Sequence, residues 1–307
     1  MALSASMVKE LREKSGAGMM DCKKALIETD GRLEDAVDWL RKQGLSAVAK
    51  KSNRVAAEGL IGITIKDNSG AMIEINSETD FVARNELFQN FVKTCSELVL
   101  SSKNDIDALQ NLPFPNANRS VNEELINNIA TIGENMNIRR AEYLEVSKGI
   151  LISYVHNSVA EGLGRLGVLV ALETGVKNND IKEIGKQIAM HIAATSPKSL
   201  NIDDLDPEVV DRERQVLIDQ AMSSGKPKEI AEKMVQGRMH KFFQEVVLNE
   251  QVSVIDGETK IKDLIKRTSL ELKTEIKIKG FKVLKLGEGV EIEESDFAAE
   301  VAATAGL

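Results

Sequence analysis

Three observations predict an α+β fold for this chain. Apolar residues recur at helical spacing through residue 44 or so, and the period then changes to that of strands at "GLIGITIKD" and "AMIEINSE". The strand–strand–helix unit begun there returns as "GILISYVHN", "RLGVLVALETG" and "IKEIGKQIAMHIAAT", within residues 149–195. Between that return and the last strand-like stretch, residues 206–248 again read as helix. The expected architecture is an N-terminal three-helix module, two duplicated core subdomains built as β-hairpins with helices on one face, and an inserted helical hairpin. The corresponding segments are 1–55 (module and linker), 56–140, 141–285 with the hairpin at about 203–249, and a C-terminal helical module at 286–307.

Each element has its own signal. Ser4 or Ser6 can cap a first helix carrying Met7, Val8 and Leu11 on one side, and "SGAG" breaks it. "MMDCKKALIET" predicts a second helix, with Met19 or Met20, Cys22 or Lys23, and Leu26 and Ile27 at helical spacing. A third follows in "DGRLEDAVDWLRKQG", with Leu33, Val37 and Leu40 buried and Gly44 as its stop. "SAVAKKSNRVAAEG" reads as a charged, Ala-rich linker. In the first hairpin, Asn68-Ser69-Gly70 supplies turn chemistry. Leu87, Phe88, Phe91, Val92, Cys95 and Val99 then form one helical stripe. Residues 101–120, with Pro113 and Pro115, read as loop, and a helix is expected around 121–131. In the second copy, Glu173-Thr174 is expected to match Glu78-Thr79 of the first. "DPEVVDRERQVLIDQAM" and "KPKEIAEKMVQGRMHKFFQEVVL" flank "SSGK" as an αα-hairpin, with Pro227 suited to a first helical turn. "LELKTEIKIKGFKVLKLGEG" reads as strand, and "ESDFAAEVAAT" as a short closing helix.

Composition excludes several classes. A 307-residue chain with 29% charged and 42% apolar residues has an ordinary globular balance and room for two or three units. No apolar run reaches the ~20 residues of a membrane span. The N-terminus alternates like an amphipathic helix and lacks the apolar core of a signal peptide. Two cysteines without pairing or metal spacing point to a reducing cytoplasm. A net charge of -8 argues against nucleic acid as a direct partner.

Signals that resemble catalytic chemistry have plainer readings. "GLGRLG" (Gly162, Gly164, Gly167) matches a dinucleotide fingerprint by letter, but it leads into the strand "VLVAL", whereas pyrophosphate binding needs a helix N-terminus there. A hairpin loop is expected. His191 reads as a satisfied, partly buried helix residue, and His240 as exposed. His156 sits at a hairpin tip, where a contact role and no role stand equal. No metal-ligand cluster, nucleophile–base pair or cofactor site is expected, so no chemical step is assigned.

The stretch "INSETDFVARNELF" is the exception. Asp80-Phe81 puts an acid and a bare aromatic at a strand-to-helix turn, where the second copy has Gly175-Val176. Asp80 capping the helix with Phe81 folded back on it, and Phe81 protruding as a contact, are equal readings of these residues alone. "GAGMMDCKKAL", "TDFVARNELF", "IGENMNIRR", "IAMHIAA", "SGKPKEIAEKMVQGRM" and "DFAAEV", in this order, resemble the bacterial elongation factor Ts family. The resemblance runs from the first helix to the last, with looser fit at 104–120 and 253–280.

That resemblance implies a guanine-nucleotide exchange factor for the translational GTPase elongation factor Tu. Thr79, Asp80, Phe81 and Val82 would then enter the GTPase near its Mg²⁺ and phosphate elements and dislocate the metal. It also implies a ubiquitin-associated-like bundle at the N-terminus, with Met19 and Met20 as an adaptable docking surface, one of them still available for core filling. His156 and Phe297 of "DFAAEV" would supply further partner contacts. The helical hairpin would be a coiled-coil protrusion, and a homodimer through it or the core is left open. The rival class is a helical adaptor without exchange activity, which would have no use for the Asp80-Phe81 turn.

Overall fold

The computed structural model describes residues 4–15, 17–223 and 228–291. Helices α1 (Ala5–Ser15), α2 (Met19–Glu28) and α3 (Leu33–Lys51) open the chain. Ser4 begins α1, its Oγ accepting the Met7 N–H at 3.3 Å. Leu11, Cys22, Ala25, Leu26 and Ala36 form the small core of the bundle, with Leu33, Val37 and Leu40 packed around it.

Two expectations fail in α3. Gly44 does not end it, and "SAVAKK" continues the helix rather than forming a linker. The reason is tertiary. A Cβ built at Gly44 would lie 3.1 Å from Ile126 Cγ2, so the glycine lets α3 cross close to α6 (Val121–Ile132). Arg41 pairs with Glu123, and Arg119 Nη1 donates to Ser15 O at 2.8 Å, so the module is docked on the next domain along its length.

The first core contains β1 (Glu58–Lys66), β2 (Ser69–Ser77), α4 (Glu86–Ser102), α5 (Ile106–Asn111), α6 and β3 (Met136–Glu145). The hairpin turn is Asp67-Asn68, with Asp67 at φ 54, while Ser69 and Gly70 belong to β2. Helix α5 interrupts the expected 101–120 loop and buries Leu109. Leu87 is not on the buried stripe of α4 and is exposed.

The second core contains β4 (Gly149–His156), the short β5 (Leu163–Gly164), β6 (Leu166–Thr174), α7 (Asn179–Thr195), α10 (Ile261–Glu271) and β7 (Ile276–Lys285). Helices α8 (Pro207–Ser223) and α9 (Lys228–Val246) are inserted between α7 and α10. Their apolar cluster, centred on Leu217, Ala221, Ala231, Val235 and Met239, draws on α8 and α9 alone among the described residues. Pro227 and Ser224–Lys226 lie outside the described residues. The strand-like reading of 270–289 holds only from Ile276, because α10 takes the first part.

Strand order is β3-β2-β1-β5 in one sheet and β4-β6-β7 in the other, antiparallel throughout. Leu60, Ile73 and Ile75 face α4 and α6, while Val168, Val170 and Leu172 face α7 and α10. The opposite faces meet each other through Ile61, Ile63 and Met72 against Leu169 and Leu284. The layers are therefore helix, sheet, sheet, helix. Both faces of the central strands are buried, so they read as continuous apolar runs rather than alternating ones.

Backbone geometry fixes how the copies align. Gly59 (φ 123) and Gly149 (φ 156) each open a hairpin where an added Cβ would lie 2.2 Å from Ile75 O or 1.9 Å from Leu172 O. Beside them the register shifts at Glu74/Ile75 and at Ala171/Leu172. Asn76-Ser77 is thus the match of Glu173-Thr174, two residues earlier than the sequence suggested.

His191 in α7 is fully buried, and its Nδ1 accepts the Val254 N–H at 3.2 Å. The ring proton therefore sits on Nε2, which donates to Gln251 Oε1 at 2.9 Å. Burial lowers its pKa from the ordinary 6.5, and the Gln251 bond opposes this in part. The unfolded chain takes up this proton at higher pH than the folded chain does. Stability from the neutral ring is thus present above pH 6.5 and is lost as pH falls through that value toward the folded pKa. Thermal melts from about pH 7.5 to about pH 5 should fall less steeply for His191→Gln than for the parent; equal slopes would assign the loss to other groups.

Candidate functional site

With the copies aligned, their strand-to-helix turns differ in length. Residues 78–84 join Ser77 of β2 to Asn85, whereas 175–177 suffice between Thr174 of β6 and Asn178. Asn85 and Asn178 are the respective helix caps, Asn85 Oδ1 accepting the N–H groups of Leu87 at 2.9 Å and Phe88 at 3.3 Å. The first turn is longer by four residues, and the extra length carries Asp80 and Phe81.

Those residues enter a 3₁₀ turn, Val82–Arg84. Asp80 O accepts from the Ala83 N–H (3.2 Å), Phe81 O from Arg84 (3.1 Å) and Val82 O from Asn85 (2.9 Å). Val82 and Ala83 are buried in the first core and anchor the turn, while Phe81 is 77% exposed. Asp80 does not cap α4, and Phe81 does not fold back on it. The capping-and-staple reading is excluded, and an exposed aromatic on an anchored turn remains.

The turn is held from behind. Gly133 (φ 92) ends α6 and turns the chain so that Glu134 and Asn135 face it. Thr79 donates to Glu134 twice, from N to Oε2 at 2.9 Å and from Oγ1 to Oε1 at 2.6 Å. Glu78 accepts the Asn135 N–H in return, and Asn135 Nδ2 donates to Arg54 O at 2.7 Å, just beyond α3. Ser77 Oγ donates to Thr79 O at 3.0 Å.

At its flank stands Arg165, from the "GLGRLG" loop. It donates twice to Glu58, at 2.5 and 3.1 Å, and this pairing raises its pKa against desolvation, with Asp80 adding to the effect. The loop is a connection between strands: an added Cβ at Gly167 would lie 2.8 Å from Ile61 Cγ2, and β6, not a helix, follows. The Arg165 N–H donates to His156 O at 3.2 Å, which ties the hairpin tip of the second core to the same edge. His156 is exposed, with Nδ1 3.0 Å from Tyr154 Oη.

Met19 and Met20 are 60% and 73% exposed, beside exposed Ile27. Neither fills the core, which Cys22, Ala25 and Leu26 already occupy, so the expectation of one core methionine is overturned. Phe297 and "DFAAEV" lie outside the described residues. Among the described residues, no three His, Cys, Asp or Glu side chains form a metal-sized cluster, and no helix is long and apolar enough to cross a membrane. Glu134, Asn135, Arg54 and Arg165 escaped the sequence reading as supports of the turn. Only the acid directly after a helix-ending glycine could have drawn attention to Glu134.

Comparison with known proteins gives a consistent result. A family model described as "Elongation factor TS" matches residues 78–288. A protein of Rhodospirillum centenum named elongation factor Ts is 57% identical over 304 residues, covering 99% of either chain. Namesakes from Rhodospirillum rubrum (54% identity, 98% of either chain) and Zymomonas mobilis (52%, 99% of either chain) match similarly.

The geometry sets expectations for the free protein. Phe81→Ala should change stability by under about 1 kcal/mol, because its ring has little to lose. Phe91→Ala, from the same aromatic type fully inside the first core, should cost about 3–5 kcal/mol. Urea titrations of both variants test the contrast, and similar losses would mean that Phe81 is a core residue in solution.

Proposed function

The chain belongs to the elongation factor Ts family, and we propose that it promotes GDP release from elongation factor Tu by driving Phe81 into the GTPase beside its Mg²⁺ and phosphate site. The observation that carries this is the added turn: an exposed phenyl ring on an anchored backbone, absent from the second copy of the same scaffold. Phe81 acts as a wedge between side chains of the GTPase and shifts the elements that shape the metal site. Mg²⁺ demands near-ideal octahedral coordination and bridges nucleotide phosphates to protein, so a small shift weakens both. Asp80 brings a negative charge to that edge and competes for donors that held the nucleotide side. Thr79 and Val82 keep the ring in place, one from behind and one from within the core.

No bond is made or broken in this scheme. Exchange follows from linkage: whatever weakens GDP in the ternary complex weakens the factor by the same ratio when GDP is bound. The remaining contacts supply affinity. Met19 and Met20, on a ubiquitin-associated-like bundle, form an adaptable apolar dock, and His156 adds a contact at the edge nearest the turn. The αα-hairpin, with exposed Val216, Met222 and Ile230, suits a secondary contact or self-association. The place of action is the cytoplasm, with elongation factor Tu.

Stopped-flow release of a fluorescent GDP analogue from elongation factor Tu tests the wedge. Phe81→Ala should slow catalysed release severalfold or more while melting normally. Asp80→Ala should act in the same direction, and the double variant should lose less than the sum, as groups acting through one displacement do. Val176→Ala, in the shorter turn of the second copy, should exchange normally. A folded Phe81→Ala protein with parental release rates would falsify the wedge.

The accessory elements separate by the same assay. Removing residues 1–50 should weaken complex formation, and Met19→Ala with Met20→Ala should reproduce part of it, at about 1–3 kcal/mol for each buried Met contact. Replacing residues 208–246 with a short Gly-Ser linker should keep most exchange activity, since the hairpin packs on itself. Loss of exchange in that folded deletant would move the hairpin into the working surface.

A further inference from the structure

The contact between residues 77–79 and 134–135 is reciprocal. Each segment offers a carboxylate to a backbone N–H of the other: Glu134 takes Thr79, and Glu78 takes Asn135. Glu134 is half-buried and spends both oxygens on Thr79, whose backbone N–H and hydroxyl fix two atoms of one residue directly before Asp80. Beyond Phe81 the chain is pinned again by buried Val82 and Ala83, and by Gln89 Nε2 donating to Ala83 O at 2.8 Å. Only Asp80 and Phe81 lie between the two anchors. A third link, Asn135 Nδ2 to Arg54 O, ties the same clasp to the end of the methionine-bearing module.

We propose that Glu134 is a positioning residue for exchange: its two-point grip on Thr79 pre-orders the turn so that Phe81 meets the GTPase already aimed. This rests on the wedge reading of Phe81 given above. The physical ground is preorganisation. A turn free to wander must be ordered within the complex, and that cost falls on the step in which the ring is inserted. The first encounter rests on the methionine surface and the hairpin tip, which do not need the clasp. Loosening it should therefore lower the maximal release rate more than it changes the factor concentration giving half-maximal rate.

The experiment is stopped-flow release of a fluorescent GDP analogue from elongation factor Tu across a range of factor concentrations. Glu134→Ala should reduce the saturating rate severalfold and by no more than Phe81→Ala does, because only part of the worth of two hydrogen bonds to a charged group reaches the insertion step, with the half-saturating concentration within about twofold. Glu134→Gln keeps an acceptor for the Thr79 N–H and an amide that the hydroxyl can accept from, and it should recover most of the rate. Thr79→Val removes only the hydroxyl half of the grip. It should give a partial loss and serves as the probe if Glu134→Ala folds poorly.

The deciding comparison is made in the Phe81→Ala background. There Glu134→Ala should slow release no further, because the ring that it aims is gone. Equal proportional losses with and without Phe81 would overturn the proposal and make Glu134 a general support of the fold. A parental saturating rate for folded Glu134→Ala, with Phe81→Ala slow, would overturn the clasp and leave the wedge standing. A parental rate for Phe81→Ala would remove the wedge itself, and the clasp with it.

Discussion

The contact on which this molecule depends is the apolar meeting of its two sheets. Ile61, Ile63 and Met72 face Leu169 and Leu284 with no helix between. Each buried aliphatic side chain here contributes roughly 1.5–3 kcal/mol relative to exposure, so the face outweighs any single polar link across it. It forces helices α4, α6, α7 and α10 to the outside and gives the core its four layers. It also sets a packing limit, because Gly70 and Gly167 approach the opposing side chains within a Cβ contact distance. One charge interrupts it. Glu74 is wholly buried, and Arg139, Arg140, Asn76 Nδ2 and the Gly287 N–H all bond to its carboxylate. A buried carboxylate is tolerable only when satisfied in this way. Its partners span both halves, so the same charge that costs desolvation locks the end of β7 onto β2 and β3.

Duplication supplies the scaffold, and departures from duplication supply what is specific to the chain. The copies share the opening glycine, the bulge one step on, a third antiparallel strand and a helix leading into it. Besides α5 in the first core and the longer β4–β6 connection carrying β5 in the second, they differ in two insertions. The first core carries four more residues before α4, and these expose Phe81. The second carries α8 and α9, which pack on each other. Val82 and Ala83 join the first core, but Phe81 stays exposed, and α8 and α9 bury their apolar cluster against each other. An element that the scaffold does not require, and that leaves a large aromatic in water, is best explained by a partner that covers it.

The sequence was legible where the signal is local or repeated. Helical stripes, apolar strand runs and the returning unit located both cores, the three-helix opening and the αα-hairpin. It was illegible where a residue's role is set by something far along the chain. Gly44 looks like a helix stop until Ile126 is seen against it. Leu87 falls on a plausible stripe, but the face of α4 that meets the sheet is the one carrying Phe88, Phe91, Val92 and Cys95, and Leu87 is left exposed. The two copies were aligned by their shared Glu-Thr letters, and only the backbone at Gly59 and Gly149 shows that the match is two residues off. At the site, Asp80 and Phe81 stood out as residue types in an odd place. The bonds that hold them come from residue 134 and its neighbour, a separation at which one sequence carries no pairing signal.

Under the proposed function, linkage requires the wedge and the dock to be separate elements on one body. If the inserted ring weakens GDP by some ratio, GDP weakens the factor by that same ratio, so the turn can never be a source of tight binding to the GDP form. Affinity that is indifferent to nucleotide must come from elsewhere, and the exposed methionines are suited to supply it. Such affinity raises occupancy of every nucleotide state alike and shifts no equilibrium between them. Insertion shifts the equilibrium but needs the complex to exist first. The two contributions combine only if docking one surface brings the other to its target without a further search. Arg54, leaving α3, is bonded through Asn135 to the segment that grips the turn, a link through which, on the proposed reading, a dock at α2 would carry Phe81 with it.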